Sequence, residues 1–149
     1  MSITVYSIGH SNQSADQLVT LLQRHGIALL ADVRSSPASR YVAQFNREAL
    51  ERSLAAAGIG YRWLGQALGG KPRAVEPVFN AGIGDLLDLA AQQPVAMMCA
   101  ERDPQHCHRT HLVTPALLQR GAHVAHILGD GTLLPHDALQ QAPKQGSLF

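Results

Sequence analysis

Short apolar runs alternate along this chain with longer segments in which apolar residues recur every three or four positions. The short runs have the length of strands and lie at residues 3–8, 28–33, 59–64, 95–98 and 123–128. The first of them is rich in β-branched and aromatic residues, which strands favour. The run at 28–33 is interrupted only by Asp32, which suits a strand buried on both faces of a parallel sheet.

The longer segments have the spacing of amphipathic helices. The predicted helices span about residues 14–25, 46–57, 78–93 and 107–120. Ser14 and Gln17 have the spacing of a capping box at the start of the first helix. Pro115 lacks a backbone N–H and should kink or split the last one.

Alternating strands and helices predict an α/β fold, a three-layer α/β/α sandwich whose mainly parallel sheet has about five strands. A chain of 149 residues with 46% hydrophobic residues is long enough for one ordinary core. We expect a single domain at residues 1–139, followed by a flexible tail at residues 140–149. The pattern does not predict the strand order.

Net charge and apolar segment length narrow the class of protein. The formal charge of +1 excludes a dominating electrostatic field but leaves room for a local basic patch. No apolar run is long enough to cross a bilayer, and the N-terminal segment lacks the pattern of a signal peptide. We therefore expect a cytoplasmic protein without a membrane partner, whose two cysteines are reduced rather than paired.

Polar residues are concentrated where the predicted strands end. The segments concerned are residues 9–12, 32–34, 99–101 and 129–131. The carboxyl ends of parallel strands meet at one edge of a sheet, which is where open α/β folds bind ligands. We therefore expect these segments to form one site.

Reactive side chains are most concentrated between residues 99 and 109, a segment that holds both cysteines of the chain. Cys99 ends a predicted strand, and Cys107 lies near the start of the next helix, where the helix dipole favours a thiolate or a bound anion. Either sulfur is a candidate nucleophile, Cys107 slightly more so. His108 is a candidate nucleophile or proton relay, and Glu101 is a candidate acid or base, as is Asp32.

Guanidinium, hydroxyl, amide and imidazole groups around the same edge are candidates for binding an anion by charge-assisted hydrogen bonds. They are His10, Ser11, Asn12, Arg34, Ser39, Arg40 and Arg109. The plain structural alternative is that Asp32 and Arg34 form an ion pair at a strand end. A second alternative is a metal site, but an adjacent Cys-His pair after a seven-residue gap matches no common structural zinc spacing. The sequence identifies no cofactor.

Four motifs resemble those of the family called domain of unknown function 488. They are residues 7–12, residues 31–40, residues 61–65 with 68–70, and residues 99–101 with 107–109. The resemblance covers almost the whole chain and implies the fold and the site, but it brings no reaction with it. The chain also resembles rhodaneses and cysteine phosphatases, in which an apolar strand leads directly to a cysteine in the loop before a helix. However, the loop at 100–104 has two carboxylates and a proline in place of a glycine-rich anion cradle.

The last five residues, Gln-Gly-Ser-Leu-Phe, resemble the pentapeptide by which bacterial replication and repair proteins hold the DNA sliding clamp. The matching positions are Gln145, Ser147, Leu148 and Phe149. Placement at the end of a flexible segment suits a tether. The plain alternative is that these residues fold back onto the domain.

These observations favour an enzyme that acts on a phosphate-bearing substrate such as nucleic acid or nucleotide, associated with DNA repair through a clamp-binding tail. Three alternatives remain open at this stage. They are a non-catalytic DNA-associated adaptor, a rhodanese-like or phosphatase-like cysteine enzyme, and a metal-binding protein.

Overall fold

The computed structural model describes residues 2–38, 42–70, 73–101, 107 and 109–141. Within them, six strands form one mixed sheet. The strands are β1 (Thr4–Gly9), β2 (Leu29–Asp32), β3 (Gly60–Trp63), β4 (Val95–Cys99), β5 (His123–Ile127) and β6 (Leu133–Pro135). Their order is β3-β2-β4-β1-β5-β6.

The first five strands run parallel, which confirms the mainly parallel sheet. The sixth strand, β6, was not predicted. It returns antiparallel to β5 after a short turn. A three-residue strand that ends in Pro135 is too short to give a readable alternation, so only its pairing with β5 identifies it.

Helices surround the sheet. They are α1 (Ala15–Arg24), α2 (Arg47–Ala56), α3 (Gly65–Leu68), α4 (Glu76–Gln92), α5 (Thr114–Gln119) and α6 (His136–Gln141), with a 3₁₀ turn at Ala43–Phe45 and a π-helical turn at Arg109–Val113. The capping box is confirmed, because Ser14 Oγ accepts from the backbone N–H of Gln17 at 3.1 Å and Gln17 Oε1 accepts from that of Ser14 at 3.0 Å. None of the described helices has the length and apolarity needed to span a membrane.

The segment at 107–120 is split, as the proline there predicts. The π-helical turn gives way to α5, whose first turn contains Pro115. Proline is tolerated in the first turn of a helix because the backbone N–H it lacks would have no intrahelical partner there.

The core consists of two clusters that share the strands in alternation. On β4, Met97 and Cys99 belong to the cluster that includes residues of α4 and α5, whereas Ala96 and Met98 belong to the cluster that includes residues of α1 and α2. Successive side chains of a strand point to opposite faces of the sheet. Both faces of β4 are therefore buried, and this explains its continuous apolar run.

The loops after the central strands are tied together at the carboxyl edge. The backbone N–H of His10 donates to the carbonyl of Cys99 at 2.9 Å, and that of Ser11 donates to the carbonyl of Ala100 at 2.9 Å. The chain leaves β2 toward β3 and leaves β4 toward β5, in opposite directions across the sheet. A crevice between neighbouring strands whose connections diverge is the usual ligand position in such folds.

A chain of polar groups is buried between β1, β5 and α6. Ser7 Oγ contacts His126 Nδ1, and His126 Nε2 lies 3.1 Å from His136 Nδ1. All three side chains are buried. Hydrogen bonds among these three side chains offset the cost of removing their polar atoms from water.

Acidification should destabilise the fold through His136. The pKa of His136 lies below the ordinary value because the ring is buried; Asp137 raises this pKa and His111 lowers it. The unfolded chain binds the proton near about pH 6.5, and the folded chain does so only at lower pH. The free energy of unfolding should therefore be highest above that pH and fall as the pH drops below it.

Urea unfolding at about pH 7.5 and about pH 5.5 measures this loss. The variant His136→Gln cannot titrate at that position and should show a smaller loss than the unmodified chain. An equal loss in both proteins would contradict the role of His136.

Candidate functional site

The centre of the carboxyl edge is an ion pair between Asp32 and Arg34. Arg34 Nε donates to Asp32 Oδ1 at 2.9 Å, and Arg34 Nη2 donates to Asp32 Oδ2 at 2.7 Å. The backbone N–H of Arg34 adds a third hydrogen bond, to Oδ1, at 3.1 Å. Asp32 is fully buried and Arg34 is 6% exposed. This two-pronged geometry holds the guanidinium plane in one orientation.

Two aromatic residues of β3 complete the surroundings of this pair. The Tyr61 hydroxyl donates to Asp32 Oδ2 at 2.7 Å, and Trp63 Nε1 donates to the carbonyl of Arg34 at 2.9 Å. Burial raises the pKa of Tyr61 above its ordinary value, and the hydrogen bond to Asp32 raises it further. Tyr61 therefore remains a hydrogen-bond donor at neutral pH.

His10 joins the site from β1. Its Nδ1 lies 2.6 Å from the carbonyl oxygen of Ser11, which can only accept, so we assign the ring proton to Nδ1. Its Nε2 then accepts from Arg34 Nη1 at 3.4 Å. Burial lowers the pKa of His10; the bond to Ser11 and the charge of Asp32 raise it, and the charge of Arg34 lowers it. The ring also stacks on Phe45 with centroids 4.6 Å apart.

Arg34 retains hydrogen-bonding capacity. A guanidinium has five N–H donors, and three of them serve Asp32 and His10. The other two have no acceptor among the residues that the structure describes. A buried donor without an acceptor is costly, so these two N–H groups are suited to a bound anion.

The loop after β2 is held by close backbone packing. A side chain at Gly65 would collide with the carbonyl of Arg34 and with the Trp63 indole, and one at Gly69 would come within 2.7 Å of the Cα of Ser35. The predicted motif at 61–65 and 68–70 thus has a steric role, since only glycine allows α3 to approach this loop.

Two of the predicted anion ligands lie in a cleft that does not include Asp32 or Arg34. Ser11 and Asn12 line a cleft of about 540 Å³ between the ends of β1 and β5, together with Gln13, Asp16 and Gln17 of the α1 region. Ser11 adopts a left-handed backbone conformation with φ of 51°, which is uncommon for a residue other than glycine. The cleft extends the polar edge from His10 toward α1.

The cysteines lie on the opposite face of the sheet. Cys99 and Cys107 are bonded to one another as a disulfide and are buried in the cluster of α4 and α5. The expectation of two reduced thiols is therefore wrong for this structure. That expectation followed from the predicted cytoplasmic location, where cysteines are usually reduced. In the structure the chain returns to the end of β4 at Cys107, and this brings the two sulfur atoms together. Neither cysteine carries a thiolate in this state.

The remaining predicted residues are distributed as follows. Glu101 is exposed just beyond β4. Ser39, Arg40, His108, the side chain of Arg109, and the tail residues Gln145, Ser147, Leu148 and Phe149 lie outside the described residues. Among the described side chains, no group of three or more His, Cys, Asp or Glu residues is arranged to hold a metal ion.

Comparison with protein-family models assigns this chain to a family. The family model described as Domain of unknown function DUF488 matches residues 14–77 and 71–115, which together span well over half of the chain. The chain belongs to this family. The DUF488 match includes Asp32, Arg34, Tyr61 and Trp63 but begins after His10. Comparisons with curated proteins and with solved structures found no match.

Sequence reasoning missed the roles of Tyr61 and Trp63 within the DUF488 region. Tyr61 and Trp63 alternate on β3, and the register pairs Trp63 with Asp32 at the end of β2. Alternation of two aromatic residues was a readable signal. Their contact with the ion pair depends on strand order, which the pattern does not provide.

Breaking the buried ion pair should be costly. Asp32→Asn leaves Arg34 buried without a counter-charge, so the free energy of unfolding should fall by roughly 3 kcal/mol. The double variant Asp32→Leu with Arg34→Met removes both charges and should recover at least half of that loss. Urea unfolding at neutral pH measures both variants.

The exposed pair of Arg47 and Glu51 is the matched control, with side chains 47% and 50% exposed. Glu51→Gln should cost less than about 1 kcal/mol. A similarly small loss for Asp32→Asn would refute a buried, energetically coupled pair.

Proposed function

We propose that this protein is an enzyme that acts on a phosphate-bearing substrate, such as nucleic acid or nucleotide, bound at the carboxyl edge of its sheet. The observation that carries the proposal is the buried guanidinium of Arg34, held by Asp32 and left with two N–H donors unused among the described residues. Such a preoriented fork matches two oxygens of a phosphate group.

The roles of the neighbouring side chains follow from their hydrogen bonds. Asp32 accepts four hydrogen bonds, three from Arg34 and one from Tyr61, so it positions the guanidinium. His10 is a neutral imidazole whose Nε2 lone pair accepts from Arg34 Nη1 at 3.4 Å. A substrate anion that takes over this donor would release the lone pair, so His10 is the better candidate for proton transfer. Glu101, exposed at the end of β4, is a second candidate acid or base.

The cysteine-enzyme alternative requires a reduced thiol. Cys99 and Cys107 are paired and lie on the other face of the sheet from His10 and Arg34. Proton transfer at His10 needs neither sulfur, so the present proposal holds in both redox states.

A three-layer α/β/α arrangement is part of the proposal. Its support is the division of the core into one cluster with α1 and α2 and another with α4 and α5. In such an architecture the carboxyl edge is left open between the helical layers, where a substrate has access to it.

Phosphate binding tests the proposal directly. Inorganic phosphate, titrated by calorimetry, should bind to the unmodified chain and bind at least about tenfold more weakly to the Asp32→Leu/Arg34→Met variant. The control variant Arg120→Ala removes an exposed arginine that directly follows α5, and it should leave the affinity unchanged. Equal affinities in all three proteins would exclude Arg34 as the anion ligand.

A panel of nucleotides and 5′-phosphorylated oligonucleotides tests catalysis. His10→Gln should lower turnover by about 100-fold or more. Because burial lowers the pKa of His10, turnover should be level from about pH 7 to pH 8 and fall under acidification below about pH 6.5. Phosphate binding without turnover of any panel member would favour the adaptor.

The proposed link to DNA repair depends on the tail. Its support is the match of Gln145, Ser147, Leu148 and Phe149 to the clamp-binding pentapeptide. Deleting Leu148 and Phe149 should abolish binding to a bacterial sliding clamp in surface plasmon resonance, while the thermal unfolding midpoint stays the same. Undiminished clamp binding would remove the tail from the proposal, and a lowered midpoint would favour a tail packed on the domain.

A further inference from the structure

Two aromatic rings on the edge strand β3 lie directly beside the ion pair. Tyr61 and Trp63 are half-buried and occupy alternate positions, so they share one face of the sheet. We propose that these rings, with Arg47, form a subsite for the nucleobase of a phosphate-bearing nucleotide. The inference rests on the proposed function and deepens it, since it names the substrate class.

The ring positions are fixed relative to the anion donors. Tyr61 bonds to the carboxylate that orients Arg34, and Trp63 bonds to the carbonyl of Arg34 itself. Strand register places Trp63 opposite Asp32, about 4.8 Å away across the sheet. Rings held in place by these contacts lose little freedom when a ligand binds.

Arg47 supplies a cation at the same rings. Its guanidinium carbon lies 5.8 Å from the centroid of Tyr61 and 5.6 Å from that of Trp63. The Arg47 side chain is 47% exposed, and its Nε lies 3.4 Å from Oε1 of the exposed Glu51. The backbone N–H of Arg47 donates to the carbonyl of Pro37 at 2.7 Å, which ties the start of α2 to the loop that follows Arg34.

Aromatic rings combined with a guanidinium plane are the groups on which nucleobases stack. Beside them, Arg34 offers donors for a phosphate. The two subsites lie next to one another, so a single ligand that carries a planar base and a phosphate fits both. A free phosphate or a sugar phosphate would occupy only the Arg34 side.

The purely structural alternative predicts a different result. If Arg47 only stabilises the surface by cation–π contact, substitution of Arg47 or Trp63 changes stability without changing the preference among ligands. Ligand preference therefore separates the two explanations.

The test uses ligands that differ in one group. Trp63 is the single tryptophan of the chain, so its fluorescence reports on this subsite alone. Adenosine monophosphate should quench that fluorescence and bind at least about tenfold more tightly than ribose 5-phosphate, which lacks the base. Inorganic phosphate should bind without quenching.

Substitutions identify the residues responsible, with affinities measured by calorimetry. Trp63→Ala should reduce the tenfold preference for adenosine monophosphate to less than about threefold, and Trp63→Phe, which keeps a ring, should retain most of it. Arg47→Ala, at an exposed position, should also reduce the preference and covers the case in which Trp63→Ala does not fold. Arg52→Ala, exposed on the same helix, is the control and should retain the full preference.

Failure of the subsite and failure of the proposed function give different results. Equal binding of adenosine monophosphate and ribose 5-phosphate overturns the base subsite and leaves the phosphate site standing. Equal quenching by adenosine and adenosine monophosphate, without binding of ribose 5-phosphate or inorganic phosphate, supports the base subsite and overturns the phosphate site. An absence of binding by all of these ligands overturns both.

A final comparison identifies the source of the base, and both of its outcomes support the subsite. A single-stranded oligonucleotide with a 5′-phosphate that binds more tightly than the mononucleotide identifies a nucleic-acid end. Equal or weaker binding of the oligonucleotide identifies a free nucleotide.

Discussion

The arrangement of this site depends on one buried ion pair. Asp32 ends β2 and Arg34 lies two residues further along the chain, and the two side chains pair where both are buried. A buried charge without its partner is strongly destabilising, so each neighbouring group must conform to the geometry of this pair. The Tyr61 hydroxyl, the Trp63 indole and the His10 imidazole all do so, which connects β1, β2 and β3 through a single carboxylate and guanidinium.

The sheet divides the polar chemistry of the chain into two environments. Side chains alternate between its faces, so Cys99 joins the core of α4 and α5 while Met98 joins that of α1 and α2. The disulfide is therefore embedded in apolar packing, and the ion pair lies with the other face. Segments that all leave the same edge of a sheet need not share one pocket.

Two histidines of this fold, His10 at the carboxyl edge and His136 at the start of α6, are kept neutral by burial. His10 donates from Nδ1 to the Ser11 carbonyl, and His136 lies in the buried chain with His126 and Ser7. Burial is the largest influence that lowers the pKa of both His10 and His136. The fold thus holds an uncharged imidazole beside the buried guanidinium of Arg34, with His10 Nε2 as the acceptor in the contact between them.

Local patterns in the sequence determined the five parallel strands, the capping box at Ser14 and the interruption near Pro115, because burial and capping leave a periodic trace within a few residues. The concentration of polar residues at strand ends likewise identified Asp32, Arg34 and His10. Only the tertiary structure decided the strand order, the pairing of β6, the contact of Tyr61 and Trp63 with the ion pair, and the bond between the cysteines. Each of these depends on which distant segments become neighbours, and that choice is made by packing and register across the whole sheet.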